Sequence, residues 1–227
     1  FTVCTCNVMP HINVHCIIPY NEKENTGLYR RLLRCTCRNR RIVILFRLPY
    51  YMEIILVRHT SVDVPPGVCY GQSDVPLKTT FEQEAKVVIE NLSHYGRFDM
   101  VYTSPLSRCA KLATICGYPN AIREKRVMEM NFGEWEMQRY DSITDPHLQE
   151  WYDDYFNVAA TGGESFIIQY ERISDFLNEL KELPYNKVAV FTHGGVIICA
   201  LIYAKCVKKE DAFSHLPPYG GIVKINI

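Results

Sequence analysis

The sequence predicts an α/β fold, a three-layer sandwich with a mostly parallel central sheet flanked by helices. Three observations predict it. From residue 52 onward, apolar runs of strand length alternate with segments whose apolar residues recur at helical spacing, the order that winds into βαβ units. The strand-like runs are apolar on both faces, as buried parallel strands are. Three of them stop at polar residues: Val57 runs into Arg58-His59, Tyr102 into Thr103-Ser104-Pro105, and Phe191 into Thr192-His193-Gly194-Gly195. Ligands of such sheets gather beyond the carboxyl ends of the strands, so these junctions predict where a site lies.

Each element has its own signal. Residues 53–57 (Glu53-Ile-Ile-Leu-Val57) form the first strand. A loop with Pro65, Pro66, Gly67, Gly71 and Pro76 follows. Residues 80–95 carry Ala85, Val88, Ile89 and Leu92 at helical spacing. Residues 99–103 form a second strand. Residues 105–116 form a helix with Pro105 in its first turn and Gly117 at its end. Residues 121–123 and 127–130 are short and extended. Helical patterns return at 147–156 and at 165–183, where Phe166, Tyr170, Ile173, Phe176, Leu177 and Leu180 share one face. Residues 187–192 form a strand, 196–205 a buried helix and 222–227 a final strand. There is no internal repeat.

The chain has 227 residues, with 25 Lys+Arg against 25 Asp+Glu. That balance argues against a strongly basic nucleic-acid binder. The longest wholly apolar run, residues 196–204, has nine residues, where a membrane-spanning helix needs about 20. The neutral total hides a split. Residues 1–51 hold eight basic and two acidic residues, a net charge of +6, and residues 52–227 carry −6. Five of the ten cysteines (Cys4, Cys6, Cys16, Cys35 and Cys37) fall in the first segment. Its patterning is weak: residues 42–46 suit a strand, and Pro10 and Pro19 break the stretch before it. The expectation is that Met52 is the natural start and that residues 1–51 are upstream sequence carried in frame or an unstructured basic arm. Cys4, Cys6, His11, His15 and Cys16 invite a zinc reading, but C-x-C spacing departs from the usual C-x₂₋₄-C pairs, which favours incidental residues.

The strand-end residues suit one chemistry. Arg58-His59 places a nucleophile or base beside a fixed cation. His193 stands where a strand meets a helix opened by two glycines. Singly, each has a plain reading: His193 a cap or core residue, Arg108 a solvated surface arginine, Glu129 an exposed strand position. Together, two arginines and two histidines beyond one sheet edge suit a phosphate dianion, because guanidinium forks match phosphate geometry. No Walker loop and no carboxylate cluster for magnesium accompanies them. Trp135 and Phe132 read as packing for the Glu129 loop or as a wall for a flat ring. Glu164 and Ser165 read as a helix start, Cys109 as a buried thiol, Cys69 as a residue shaping a pocket, and His94, His147 and His215 as surface residues.

Leu56-Val-Arg-His59, Ser104-Pro-Leu-Ser-Arg108, Glu129-Met-Asn-Phe-Gly-Glu-Trp-Glu136, Gly162-Gly-Glu-Ser165 and Thr192-His-Gly-Gly195 follow one another in that order. In this the chain resembles the histidine phosphatase superfamily, with its phosphoglycerate mutase-like fold. The loop from Val64 to Leu77, with Tyr70-Gly-Gln72 at its centre, is most similar to alpha-ribazole phosphatases of cobalamin synthesis. The resemblance runs from Met52 to the last residue. It implies His59 as the phosphorylated nucleophile and Arg58, Arg108 and His193 as the phosphate pocket. It implies Glu129 as the proton donor, and Tyr70, Gly71 and Gln72 as substrate contacts. Neighbouring arginines then keep His59 neutral, and His193, if protonated, adds charge against the transition state. Three positions depart from the pattern. Thr60 replaces the glycine usual after the Arg-His pair, Pro65 replaces an asparagine, and Met137 replaces a glycine, which should shift that turn.

What this implies is a cytoplasmic, metal-independent phosphomonoesterase without a cofactor. It acts on a small phosphate ester, alpha-ribazole 5′-phosphate, with neither nucleic acid nor membrane as partner and an open oligomeric state. Two alternatives stand beside it. One is a broad sugar-phosphate phosphatase or phosphoglycerate mutase-like enzyme. The other is a non-catalytic module that binds a phospholigand.

Overall fold

The computed structural model describes residues 51–227 in full and, within residues 1–50, the backbone of four strands. The chain divides into two units, Phe1–Tyr51 and Met52–Ile227. In the first, β1 (Cys4–Thr5) pairs antiparallel with β2 (His15–Cys16), and β3 (Arg31–Cys37) with β4 (Arg40–Phe46). The expected strand at 42–46 lies within β4. Of the Cys/His cluster considered for zinc, Cys6 and His11 lie outside the described residues, and Cys4, His15 and Cys16 are described by their backbone alone.

The second unit runs β5 (Glu53–Arg58), α1 (Phe81–Ser93), β6 (Met100–Thr103), α2 (Ser107–Ile115), β7 (Ile122–Arg123), α3 (His147–Asp153), α4 (Phe166–Glu182), β8 (Lys187–Thr192), α5 (Gly194–Tyr203) and β9 (Ile222–Asn226). The sheet order is β7-β6-β8-β5-β9, with every pairing parallel except β5 with β9. Side chains alternate across the sheet, so each strand feeds two cores. Ile54 and Leu56 of β5 pack with Ile173, Phe176 and Leu177 of α4 and with α5. Ile55 and Val57 pack with Ala85 and Val88 of α1 and with Leu112 of α2. That is the expected three-layer α/β sandwich. Among the described residues no helix is long and apolar enough to cross a membrane.

Three expectations need correction. Residues 127–130 are not a strand: Val127 closes a 3-10 turn over Lys125–Val127, and the segment after it has no strand partner. The helix expected from Pro105 begins at Ser107, because Ser104 Oγ accepts from Leu106 N and Asp74 Oδ1 accepts from Ser107 N. The last helix starts at Gly194 rather than 196, and its first two residues are closely approached by other side chains. A Cβ on Gly194 would meet Leu216 Cδ1 at 2.6 Å, and one on Gly195 would meet Glu129 Oε1 at 2.4 Å. Met137 stands at the turn that the sequence reading expects it to shift. It takes the left-handed conformation itself, at φ 65°, while its N–H donates to the Cys69 carbonyl.

Candidate active site

The carboxyl ends of β5, β6 and β8 bring the expected residues to one edge of the sheet. His59 follows β5, and its Nδ1 lies 2.7 Å from the Thr60 carbonyl. A carbonyl only accepts, so Nδ1 carries the proton and Nε2 keeps its lone pair. Burial first, then the charges of Arg108 and Arg58, hold the His59 pKa down at about 3 against that hydrogen bond. The expected influence of the arginines is present, with burial the larger cause.

His193, the residue before α5, stands edge-on to His59 with ring centroids 5.2 Å apart. Its Nδ1 accepts from Arg108 Nε at 3.3 Å, which leaves the proton on Nε2, 2.8 Å from Ser104 Oγ. Complete burial, followed by the Arg108 charge, holds its pKa well below the histidine range. That favours neutral His193, so the charge expected of it if protonated needs an anion in the pocket to raise its pKa. Arg108 is not a solvated arginine either. It is fully buried and donates to the carbonyls of Ser73 (2.8 Å) and Gly71 (2.6 Å). Arg58 stacks on the Tyr219 ring, with Cζ 4.2 Å from its centroid, and donates to the Pro217 carbonyl. Arg58 Nε and Thr60 Oγ1, on either side of His59, are buried without a hydrogen-bond partner among the described residues. Such groups cost about 1–3 kcal/mol each when left unmade, and phosphate oxygens are acceptors that could satisfy them.

Glu129 is held in place rather than exposed. Its Oε1 accepts from Met130 N and Gln169 Nε2, both at 3.0 Å, and its Oε2 accepts from Gly195 N at 3.2 Å. Arg172 pins the backbone there, donating to the carbonyls of Arg126, Met128 and Glu129 and pairing with Glu164 at 2.8 Å. Ser165 does cap α4, accepting from Ile168 N, while Glu164 serves Arg172. Sequence reading missed Gln169, Arg172 and Tyr219. Gln169 had a signal: it is a polar residue on the buried stripe of α4, between Phe166 and Ile173. Tyr219 had none: only the antiparallel pairing of β9 with β5 in the structure brings the Pro217-Pro-Tyr-Gly-Gly221 turn beside Arg58.

A cavity of about 650 Å³ opens on these groups. Arg58, His59, Tyr70 and Glu129 contribute to its wall, and Arg108 and His193 do not. Six of the remaining 14 wall residues are aromatic: Phe132, Tyr140, Trp151, Tyr155, Phe166 and Phe213. Gly71 and Gln72, expected as substrate contacts, are not in the wall. A Cβ on Gly71 would lie 1.9 Å from the Met130 carbonyl, and Gln72 Nε2 donates to the Glu129 carbonyl at 3.0 Å. They join the 69–73 loop to the Glu129 segment, helped by Glu136, which accepts from Gln72 N and Ser73 N. Trp135 is buried away from the cavity and donates to Asp145. Cys69 lines the cavity, its thiol pushed up to about 11 by burial. Cys109 is buried against His193. Among the described residues, no three His, Cys, Asp or Glu side chains stand together as metal ligands.

A family model described as the histidine phosphatase superfamily (branch 1) matches residues 54–227. Phosphoserine phosphatase 1 of Hydrogenobacter thermophilus is 28% identical over 162 residues, 66% of this chain and 76% of that protein. A probable phosphoglycerate mutase of Serratia proteamaculans is 29% identical over 160 residues, 66% of this chain and 73% of that one. Among solved structures, a putative alpha-ribazole-5′-P phosphatase from Escherichia coli superposes with a TM-score of 0.70 at 24% identity, covering 78% of this chain and 90% of its own. At that identity the likeness is one of fold. A phosphoglycerate mutase from Thermus thermophilus superposes at 0.60 with 26% identity, covering 76% of this chain and 92% of its own.

Proposed function

The chain belongs to the histidine phosphatase superfamily, branch 1, and we propose that it is a phosphomonoesterase that cleaves alpha-ribazole 5′-phosphate through a phosphohistidine. His59 Nε2 attacks phosphorus and the P–O bond to the alcohol breaks. Arg58 and Arg108 meet the charge on the equatorial oxygens, while neutral His193 keeps the Arg108 guanidinium turned inward. Glu129, protonated, gives its proton to the departing alkoxide. As a carboxylate it then takes a proton from the water that attacks phosphohistidine, and phosphate leaves with His59 restored. We place this reaction in the cytoplasm, where the five unpaired cysteines of the second unit would stay reduced.

The observation that carries the substrate is the aromatic cavity beside His59. Apart from Arg58, His59 and Glu129, its wall has no Lys, Arg, His, Asp or Glu. It offers nothing to the carboxylate of a phosphoglycerate or to both charges of phosphoserine, and much to a flat apolar base. The similarity of the Val64 to Leu77 loop to alpha-ribazole phosphatases points the same way.

The test measures phosphate release by the full chain from alpha-ribazole 5′-phosphate, 3-phosphoglycerate, phosphoserine and a generic aryl phosphate, with EDTA present. The expected result is the highest kcat/KM on alpha-ribazole 5′-phosphate. A preference for 3-phosphoglycerate or phosphoserine overturns the substrate. A strict metal requirement overturns the mechanism, and release from none of the four favours the binding module.

A further inference from the structure

We propose that Tyr70 and Tyr219 are positioning residues: a hydroxyl-bridged clamp that seats the two phosphate-pocket arginines around His59. The inference rests on the phosphate-pocket reading above and not on the identity of the alcohol. The two phenol oxygens are 2.6 Å apart, although the residues lie 149 positions apart in the chain. The Tyr219 ring lies against Arg58, 4.2 Å from its Cζ, and its centroid is 5.5 Å from that of His59. The Tyr70 ring lies against Arg108, 5.5 Å from its Cζ. The bridge therefore runs from one guanidinium to the other, past the nucleophile.

Each ring face attracts the cation beneath it. The bond between the hydroxyls makes the two attractions one unit. Neither tyrosine is free to follow its own loop. The backbone around Tyr219 is tied to the nucleophile: Gly220 N donates to the His59 carbonyl, and Arg58 N donates to the Gly221 carbonyl. The 69–73 loop is tied to Arg108 through the Gly71 and Ser73 carbonyls. The bridge is what joins these two halves across the front of the pocket. Burial pushes the Tyr70 phenol above its usual range, and the bond to Tyr219 adds to this, so Tyr70 keeps its proton. A phosphate dianion bonds best to guanidinium forks already aimed at it. Arg58 in particular, with its Nε buried and unpartnered, is oriented by the Tyr219 ring and the Pro217 carbonyl.

The experiment is calorimetric titration of the full chain with inorganic phosphate, for the native protein, Tyr70→Phe, Tyr219→Phe and the double variant. Phenylalanine keeps the ring and removes the bridge. Each single change should raise the dissociation constant about tenfold, the upper end of what one uncharged hydrogen bond contributes. The double change should raise it no further than the larger single change, since either one breaks the same bridge. The thermal midpoint should stay near that of the native chain, because both side chains reach solvent. Tyr219→Leu, which removes the ring face as well, should weaken phosphate further than Tyr219→Phe. Unchanged affinity in both single variants overturns the clamp, and so do losses that multiply in the double variant. Normal results here with no preference for alpha-ribazole 5′-phosphate would fall on the substrate alone. A native chain that binds no phosphate overturns the clamp and the phosphate pocket together.

Discussion

His59 and Glu129 divide the chemistry between a lone pair and a proton, and each can be removed separately. His59→Ala should abolish turnover of every phosphate ester and leave no phosphoryl-enzyme on rapid quenching at alkaline pH. Retained turnover would show that another group attacks phosphorus. Glu129→Gln keeps the shape and loses the proton. It should lower kcat by about 10²–10⁴ for an alkyl phosphate and much less for an aryl phosphate, whose phenolate leaves unaided. Equal losses on both esters would remove Glu129 from the donor role. The residues legible in the sequence were those at strand ends, because a strand end in a parallel sheet has a known place. Gly71 and Gln72 follow a cavity residue, Tyr70, while their own side of the loop faces the Glu129 segment. Tyr219 acts across 160 residues of chain on Arg58, a distance that sequence spacing does not register.

Among the elements, the strands of the sheet and the starts of α1, α3 and α4 were legible to within a residue, while the starts of α2 and α5 were each off by two and residues 127–130 are no strand. Strands β5 and β8 are apolar runs ended by charge or glycine, signals that need no partner. The start of α2 is set by Asp74, 33 residues away. The segment after Val127 alternates like a strand, yet no strand lies beside it; Arg172 of α4 takes its carbonyls instead. Arg172→Met should therefore cost about 2 kcal/mol or more, since it frees three carbonyls and strands the Glu164 carboxylate. It should also lower kcat by loosening Glu129, with phosphate affinity retained. Urea unfolding and initial rates check both halves, and unchanged stability would show that the carbonyls find water. The Glu136–Met137 turn gives the opposite sign. Met137 is 54% exposed and sits at φ 65°, where an L-residue costs about 1–2 kcal/mol. Glycine avoids that strain but loses more backbone entropy on folding. Met137→Gly should thus raise stability by about 0.5–1 kcal/mol in urea, and a loss would mean that the Met137 side chain contributes packing.

For the molecule as a whole, the site imposes a pH dependence that its neutral net charge hides. His59 and His193 are buried neutral, with folded pKa values below the ordinary histidine value of 6.5: about 3 for His59, and well below 6.5 for His193. Below pH 6.5 the unfolded chain binds protons that the folded one refuses. Stability is therefore fully present above pH 6.5 and falls as the pH drops toward the folded values. The carboxylates with lowered pKa values, such as Glu53, Glu124 and Glu136, act with the same sign but only from about 4.5 downward, where an unfolded glutamate takes up its proton. The window from pH 6.5 to 4.5 therefore isolates the histidines. Each should contribute a slope approaching about 1.4 kcal/mol per pH unit there. Urea unfolding at pH 6.5, 5.5 and 4.5 should show the native chain losing stability across the window. His59→Gln should lose roughly half as much, because one of the two refusing histidines is gone. If His59→Gln keeps the full slope, His59 is not held neutral, and its lone pair is not available for attack at low pH. Added inorganic phosphate should flatten the native slope as well, since an anion in the pocket favours the protonated histidines and raises their folded pKa values toward 6.5.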